Sequence, residues 1–457
     1  MFRNKPKTEQ RQTRRAFLKT GAAAMVGLGV SGRVRAAPNH ERLALDGGPK
    51  AVTLPDARHS ALTKWPRYGP EEKKALLAVI EKGDFYQHLP LLEEEWKAYT
   101  KTAFCKAHMN GSSALTSMYF ALDLPPGSEI MVPSYTFFSQ VLAMRFFGYT
   151  PIFIDIDPRT ATFDLDYAAR HLTKRTRAMC PMHSWGMPCE MDKISDYAKE
   201  KGLILLEDAA HAHGASMQGK TMGTWGVMGI CSFQTSKVLP GIEGGMGMYQ
   251  KREYYERAAA FGHYEDPVKF PKDSPVRAYE GTGFGQKYRM HPLAAVLLRE
   301  QLRTLDQRNA LVERQVRQLN DRLVQLPGLS EPYCRPDQKR IYYYANMLFF
   351  DEKKAGFSRN VLLKALRTEG VKVSTWGEDT TEYAAGYPLQ HKFKIYSEAK
   401  WWHHKPKIPE VLPGSEQVNR THFFVAFLYE EVPELIEQYA KAFEKVWAKR
   451  EQLAKIS

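Results

Sequence analysis

Cysteine is scarce in this sequence, and its thiols are not arranged in pairs. Five cysteines are scattered along 457 residues, and no two of them form a C-x-x-C motif. An odd number of scattered thiols argues against a disulfide scaffold, and the missing pair motif argues against a structural zinc site. We therefore expect no metal centre, and ordinary buried thiols at Cys105, Cys180, Cys189, Cys231 and Cys334.

Long apolar runs and basic clusters are also missing. The apolar stretch from Gly21 to Val30 is far shorter than the roughly 20 residues that a membrane-spanning helix needs. The formal net charge of +14 is concentrated at one end, because residues 1–37 hold nine Lys and Arg against one acid. The remainder carries only about +6, without a Lys/Arg run or a nucleic-acid-binding module. These absences argue against a nucleic-acid partner and against a stable membrane span.

The basic N-terminus is similar to an export signal. The run Thr13-Arg14-Arg15-Ala16-Phe17-Leu18-Lys19 resembles the twin-arginine motif, the apolar stretch follows it, and small residues up to Ala37 suit cleavage. A basic disordered tail is the alternative, since arginine pairs are common by chance. We predict that residues 1–37 are a twin-arginine signal segment outside the fold, and that the protein is exported to the periplasm or another extracytoplasmic space.

Beyond residue 40, short apolar runs alternate with helix-like segments. This alternation predicts an α/β fold with helices on both faces of a mostly parallel sheet. We expect a large domain over residues 38–325 and a smaller C-terminal α/β domain over residues 326–457. The predicted strands are Ile130–Pro133, Pro151–Ile156, Ala178–His183, Leu203–Leu206, Gly229–Phe233, Gly245–Tyr249 and Tyr342–Phe350. The predicted helices include Gln140–Phe147, Leu165–Leu172, Asp192–Lys201, Arg359–Glu369, Pro433–Lys449 and a long stretch from Pro292 to about Gln325.

Small residues open a helix at Asn110-Gly111-Ser112-Ser113. A helix N-terminus offers free N–H groups and partial positive charge, and small side chains leave room for a phosphate there. An ordinary serine N-cap is the simpler explanation for this segment taken alone.

Charged and nucleophilic residues follow two predicted strands, at the sheet edge where ligands of α/β proteins bind. Asp208 comes directly after one strand and is a plausible partner for a cationic nitrogen, although a turn or cap aspartate is equally compatible. Lys237 follows the predicted strand Gly229–Phe233, at the end of the run Ser232–Lys237, and is flanked by Gly-rich turns. A desolvated lysine loses its proton more easily and attacks carbonyl carbons, whereas pairing with Glu243 is the structural alternative.

These segments occur in one order that resembles a known family. Together with Leu43–Gly48, Pro133–Phe137 and Lys287–Ala295, they are similar to the DegT/DnrJ/EryC1/StrS family of pyridoxal-phosphate-dependent aminotransferases. The similarity runs from Leu43 nearly to the C-terminus. It implies a fold-type-I pyridoxal-phosphate transferase that acts as a homodimer with sites shared between subunits.

The resemblance also implies roles for single residues. Lys237 carries pyridoxal 5'-phosphate as a Schiff base and later moves the substrate proton, and Asp208 pairs with the protonated ring nitrogen. At 4 Å and an effective dielectric of about 20, that attraction is roughly 4 kcal/mol before desolvation. Phe137 takes the place of an aromatic residue that stacks on the ring. The phosphate is bound by the segment around Gly111, with hydroxyls from Ser112, Ser113 and Ser232.

Two residues depart from the family pattern. His211 stands where glutamine is usual, beside the phenolic oxygen of the ring, and replaces a neutral donor by a titratable one. Lys287 replaces the more frequent asparagine, which reaches the phosphate of the neighbouring subunit. The form of the segment from Lys287 to Ala295 is similar to the branch that aminates cyclitols.

The resemblance implies transfer of an amino group from glutamate or glutamine to a keto-sugar or keto-cyclitol. Two alternatives remain open at this point. The first is a sugar dehydratase of the family, whose members carry histidine in place of the Schiff-base lysine, and Lys237 disfavours it. The second is a cofactor-binding or regulatory protein without turnover, and the intact set of Asp208, Ser232 and Lys237 disfavours it. Contacts with the acceptor are expected from Tyr342–Tyr344, Asn346 or His422.

Overall fold

The chain forms short strands separated by helices, as the alternation of apolar runs predicts. The computed structural model describes residues 42–375 and 393–456. The strands of this part are β1 (Phe104–His108), β2 (Glu129–Pro133), β3 (Thr150–Ile154), β4 (Ile156–Asp157), β5 (Thr162–Phe163), β6 (Thr176–Met179), β7 (Ile204–Asp208), β8 (Ser216–Met217), β9 (Lys220–Thr221), β10 (Met228–Ser232), β11 (Gly245–Tyr249), β12 (Leu329–Ser330), β13 (Gln338–Lys339), β14 (Asn346–Phe350), β15 (Val373–Ser374) and β16 (His422–Val425).

Helices connect most of these strands. In chain order they are α1 (Asp56–Thr63), α2 (Pro70–Lys82), α3 (His88–Thr100), α4 (Gly111–Leu122), α5 (Phe138–Leu142), α6 (Leu165–Arg170), α7 (Met191–Glu200), α8 (Arg252–Ala260), α9 (Pro292–Arg303), α10 (Leu305–Leu323), α11 (Glu352–Ala355), α12 (Arg359–Thr368), α13 (Lys394–Ser397), α14 (Pro413–Thr421), α15 (Pro433–Ala448) and α16 (Arg450–Leu453).

A seven-stranded sheet forms the centre of the fold, in the order β1-β11-β10-β7-β6-β2-β3. All of its strands run parallel except β11, which is antiparallel to both of its neighbours. Both faces are covered: Met131 belongs to one apolar core, and its neighbours Ile130 and Val132 belong to the other. Burial on both faces is typical of parallel sheets with crossover helices. The predicted α/β class is therefore confirmed.

A four-stranded antiparallel sheet follows in the C-terminal part, in the order β12-β14-β16-β15. It packs through Leu348 and Phe423 against Leu362 of α12 and Phe443 of α15, in a third apolar core. The described residues belong to one compact unit. The predicted domain boundary at residue 325 remains a prediction, and the predicted export segment of residues 1–37 lies outside the described residues.

Several boundaries differ from the sequence-based prediction. The predicted strand Ala178–His183 is shifted to Thr176–Met179, and the long helix from Pro292 breaks at Thr304 into α9 and α10. The predicted strand Tyr342–Phe350 begins only at Asn346, because Tyr344 adopts a positive φ of 70° that no strand accommodates. Residues 342–345 therefore form a loop.

The parallel strands bring the chemically interesting segments to one edge of the central sheet. The carboxyl ends of β1, β7 and β10 lead into Asn110, Asp208 and Ser232, respectively. Ligands of open α/β sheets bind at this edge. Within residues 42–375 and 393–456, no helix is both long and apolar enough to cross a membrane, and no cluster of three or more metal-ligating side chains occurs.

Candidate active site

Close backbone packing joins the start of α4 to the end of β10. A Cβ atom placed on Gly111 would lie 2.7 Å from the Cβ of Ser232, and one on Gly245 would lie 2.3 Å from the carbonyl oxygen of Asn110. Real Cβ atoms do not approach so closely, so only glycine fits at both positions. The structure thus brings together two of the segments that the sequence singled out, and it leaves the N-terminus of α4 free of a bulky side chain.

The cap of α4 is formed by Asn110 rather than by a serine. Its Oδ1 accepts a hydrogen bond from the Ser113 backbone N–H at 2.8 Å, and the Ser113 hydroxyl donates to the Asn110 carbonyl at 2.8 Å. The Ser112 hydroxyl is paired with that of Ser139 at 2.6 Å. Ser113 is therefore occupied in a capping box, whereas Ser112 and Ser232 lie at the helix start and the strand end. Phosphate binding by these three serines remains a prediction.

Lys237 lies in a turn between β10 and β11, and its amine has a phenol partner. Its backbone N–H donates to the Gln234 carbonyl at 2.8 Å. The Lys237 Nζ atom donates to the Tyr343 hydroxyl at 3.1 Å and lies 4.5 Å from the centroid of that ring. Burial raises the pKa of Glu243, and the charge of Lys237 opposes that shift.

The hydroxyl of Tyr343 belongs to a chain of hydrogen bonds. Ser236 Oγ donates to Gln234 Oε1 at 2.7 Å, and it lies 3.0 Å from the Tyr343 oxygen. Because the Ser236 proton is already used, the phenol must donate to Ser236, and its own oxygen accepts from Lys237. The Nζ atom is thus held by an oriented acceptor.

Asp208 is the last residue of β7 and is almost completely buried. Burial raises its pKa, while the hydrogen bond from the Ala210 N–H to Oδ1 at 3.0 Å and the charge of Lys237 oppose that shift. Behind it, His183 Nε2 and Glu207 Oε2 form a buried pair at 3.0 Å, and the His183 N–H donates to the Asp208 carbonyl at 3.0 Å. A carboxylate held this firmly in a desolvated place suits a cationic ligand atom.

His211 packs against Tyr343 with a centroid distance of 4.0 Å and an interplanar angle of 26°. Its Nδ1 atom accepts a long hydrogen bond from the Trp185 N–H at 3.4 Å, which assigns the ring proton to Nε2. Burial, with the nearby charge of Lys237, places the pKa of His211 well below its usual range. The imidazole is therefore a neutral donor, like the glutamine amide that the family pattern has here.

The structure leaves Phe137 and Lys287 at the surface. Phe137 is 39% exposed and rests against Phe138 at a centroid distance of 4.2 Å. Lys287 is also exposed, in the segment before α9. That segment runs beside the end of β1, because Met109 N–H donates to the Tyr288 carbonyl at 2.6 Å. The predicted roles of Phe137 and Lys287 remain predictions.

Sequence reasoning missed how Tyr343, Trp65 and Arg308 meet the lysine. Tyr343 was expected only as one of several acceptor contacts, and nothing marked Trp65 or Arg308. The Trp65 indole Nε1 donates to the Lys237 carbonyl at 3.1 Å, and Arg308 Nη2 donates to the Val238 carbonyl at 2.9 Å. The one available signal was the tyrosine run Tyr342–Tyr344 next to a strand, which does not specify a partner.

These residues fit pyridoxal phosphate. The N-terminus of α4, kept clear by Gly111, suits the anionic phosphate, Asp208 suits the ring nitrogen, and Lys237 offers a primary amine at the same edge. When bound, this cofactor supplies an electron sink for the α-carbon of an amino acid. The fold and the site together define a pyridoxal-phosphate-dependent transferase of fold type I.

Comparison with known proteins agrees with this class. A profile of the DegT/DnrJ/EryC1/StrS aminotransferase family matches residues 66–405. The 3-amino-5-hydroxybenzoate synthase of Amycolatopsis mediterranei is 31% identical over 251 residues, 54% of this chain and 64% of that protein. The L-glutamine:scyllo-inosose aminotransferase of Streptomyces griseus is 29% identical over 318 residues, 66% of this chain and 72% of that protein. The solved structure of an aminotransferase from Psychrobacter cryohalolentis superposes with a TM-score of 0.74 at 24% identity, covering 85% of this chain and 99% of that one.

Because the profile covers most of the sequence, the chain belongs to the DegT/DnrJ/EryC1/StrS aminotransferase family. The predicted family, the predicted pyridoxal-phosphate cofactor and the predicted aminotransferase class are confirmed.

The neutral state of His211 makes a prediction about stability and pH. An imidazole in the unfolded chain takes up a proton near pH 6.5, whereas the buried ring of His211 does not. The contribution of His211 to the stability of the fold therefore falls as the pH drops below about 6.5. In His211→Gln, the loss of unfolding free energy between pH 7.5 and pH 5.5 should be smaller by about 1.4 kcal/mol, measured by urea unfolding at one protein concentration. The exposed His171→Gln is the control, and an unchanged pH dependence in His211→Gln would show that the ring is protonated in the fold.

Proposed function

We propose that the protein transfers an amino group from glutamate or glutamine to the ketone of a keto-sugar or keto-cyclitol. The observation that carries this proposal is the placement of the Lys237 amine, held by Tyr343 at the edge where Asp208 ends its strand. The similarity to an L-glutamine:scyllo-inosose aminotransferase supports a cyclitol or sugar ketone as the acceptor and glutamine as one donor.

Each residue has a distinct task in this proposal. Lys237 Nζ would hold the cofactor covalently until the amino group of the donor displaces it, and the released amine would then accept the α-proton of the donor and give it up again. The buried carboxylate of Asp208 would pair with the protonated ring nitrogen of the cofactor. The neutral Nε2–H of His211 would donate a hydrogen bond to the phenolic oxygen of the cofactor ring. The N-terminus of α4 and the hydroxyls of Ser112 and Ser232 hold the phosphate.

The half-reaction with an acceptor tests this function. The enzyme with its cofactor in the amino form, mixed with keto-cyclitols and keto-sugars, should regain the visible absorbance of the bound aldehyde cofactor, and the acceptor should appear as an amine. Lys237→Ala should bind the cofactor without a covalent bond and convert nothing above background. Borohydride treatment should attach the cofactor to the peptide that contains Lys237.

The control is Lys220→Ala, which removes an exposed lysine and should leave the reaction unchanged. A borohydride label on another lysine would refute the role of Lys237. Loss of a hydroxyl from the sugar without any amine product would instead identify a dehydratase.

We also propose a homodimer in which Lys287 reaches the phosphate of the partner subunit. Its exposure, in a segment that runs beside the start of the phosphate-binding region, supports a contact outside its own subunit. A charge-assisted hydrogen bond to a phosphate would make its loss costly.

Mixing two defective variants tests the shared site. Lys237→Ala and Lys287→Ala alone should both be strongly impaired. If the site is shared, one site of each mixed dimer receives both defects and the other receives neither, so an equal mixture should recover about a quarter of wild-type activity. Absence of recovery, with subunit exchange verified by tags, would place Lys287 in its own subunit's site or on a structural surface.

Export is the third part of the proposal. The support is the sequence of residues 1–37, in which the twin-arginine pattern precedes an apolar stretch and small residues. Expression in a bacterium with an intact twin-arginine pathway should place the protein outside the cytoplasm. Replacing Arg14 and Arg15 by lysine should retain it in the cytoplasm, as cell fractionation would measure, and equal distribution of both forms would refute the signal.

A further inference from the structure

The backbone around Lys237 is fixed by side chains from two distant parts of the chain. Trp65 precedes α2, and its indole N–H binds the Lys237 carbonyl at 3.1 Å. Arg308 lies on α10, and its guanidinium binds the next carbonyl, that of Val238, at 2.9 Å. Because the Lys237 N–H also donates to Gln234, both polar groups of the lysine backbone are satisfied in one arrangement.

The two side chains also contact each other. The Cζ atom of Arg308 lies 5.3 Å from the centroid of the Trp65 ring, and Tyr429 stacks on the same ring at 4.6 Å with an interplanar angle of 24°. Tyr429 follows β16 of the small sheet and is tied to α1 by the hydrogen bond from its N–H to the Leu62 carbonyl at 3.1 Å. The indole is therefore locked in place, so that its N–H points in a defined direction.

Arg308 occupies a place that is unfavourable for a cation. Its Nε atom is buried and has no hydrogen-bond partner within the described residues, and burial lowers its pKa to about 10. The oxygens that its terminal nitrogens bind are neutral, on Val238 and, at 3.2 Å, on Thr304. A desolvated guanidinium with an unsatisfied N–H destabilises a fold, and such violations are concentrated at functional sites.

We propose that Trp65 and Arg308 are positioning residues that hold the Lys237 backbone so that its amine stays directed into the active site. This inference rests on the proposed role of Lys237. The lysine side chain is long and flexible, so the position of its nitrogen is defined only if the backbone is fixed at one end and Tyr343 holds the other. A displacement of the reacting nitrogen by about 1 Å can cost up to two orders of magnitude in rate.

Conservative substitutions in the full-length holoenzyme test the inference. Trp65→Phe keeps an aromatic ring against Tyr429 but removes the N–H donor, and Arg308→Met keeps most of the side-chain length but removes all donors. Trp447→Phe is the matched control, because its indole N–H also donates to a backbone carbonyl, that of Pro327 at 2.9 Å, far along the chain from the lysine. Both test variants should fold. If Arg308→Met does not fold, the milder variant Trp65→Phe alone tests the positioning role.

Three measurements are compared between the variants. Amide hydrogen exchange in residues 235–241 should accelerate about tenfold in each test variant, since each variant loses one of the two side-chain restraints on this backbone. The kcat should fall about tenfold with the donor KM within twofold, because donor binding does not use these groups. Borohydride should still label Lys237, but more slowly. Trp447→Phe should change none of these values.

The outcomes separate this inference from the proposed function. Exchange and kcat in both test variants equal to those of Trp447→Phe would overturn the positioning role, even if Lys237 is labelled as expected. Faster exchange with an unchanged kcat would also overturn it, since the backbone restraint would then not matter for the amine. A label on another lysine would refute the function itself, whatever the exchange rates are.

Discussion

The contact between Gly111 and Ser232 is the constraint around which the active site is arranged. With a Cβ distance of only 2.7 Å available at Gly111, α4 starts directly against the end of β10, and its free N–H groups open at the sheet edge. The same strand end leads into the turn that carries Lys237. Backbone packing therefore sets the predicted phosphate-binding segment close to the turn that carries Lys237, before any ligand contact contributes.

Burial gives the polar groups at this edge their chemical character. It raises the pKa of Asp208 and lowers that of His211, so the two groups respond in opposite directions to the same low dielectric. The carboxylate is thereby suited to a cation, and the imidazole remains a neutral donor. With His211 in the position where the family pattern has glutamine, a neutral donor is still expected there, and its contribution to stability is expected to fall in acid.

Lys237 is held by side chains from three distant parts of the chain. Trp65 precedes the central sheet, Arg308 lies on the helix that follows it, and Tyr343 precedes the main strand of the small sheet. The loop that presents Tyr343 contains Tyr344 at a positive φ, which is strained backbone of the kind found at functional sites. The small sheet is therefore connected to the Lys237 amine by two routes. One is Tyr343, and the other is the stacking of Tyr429 on Trp65.

The sequence alone determined the α/β class, most strands of the central sheet and the segments that meet at its edge. The spacing of apolar residues, the apolar runs and the glycine-rich turns are local signals that the sequence displays directly. The carboxyl ends of parallel strands necessarily lie at the same edge of the sheet. The contacts of Trp65, Arg308 and Tyr343 were decided only by the tertiary structure. They join residues 172, 70 and 106 positions apart, and no local pattern encodes which distant side chain meets a given carbonyl or amine. The prediction of a strand from Tyr342 was wrong for the same reason. The tertiary contacts of Tyr343 outweigh the local β-propensity of the three tyrosines, and the strand begins only at Asn346.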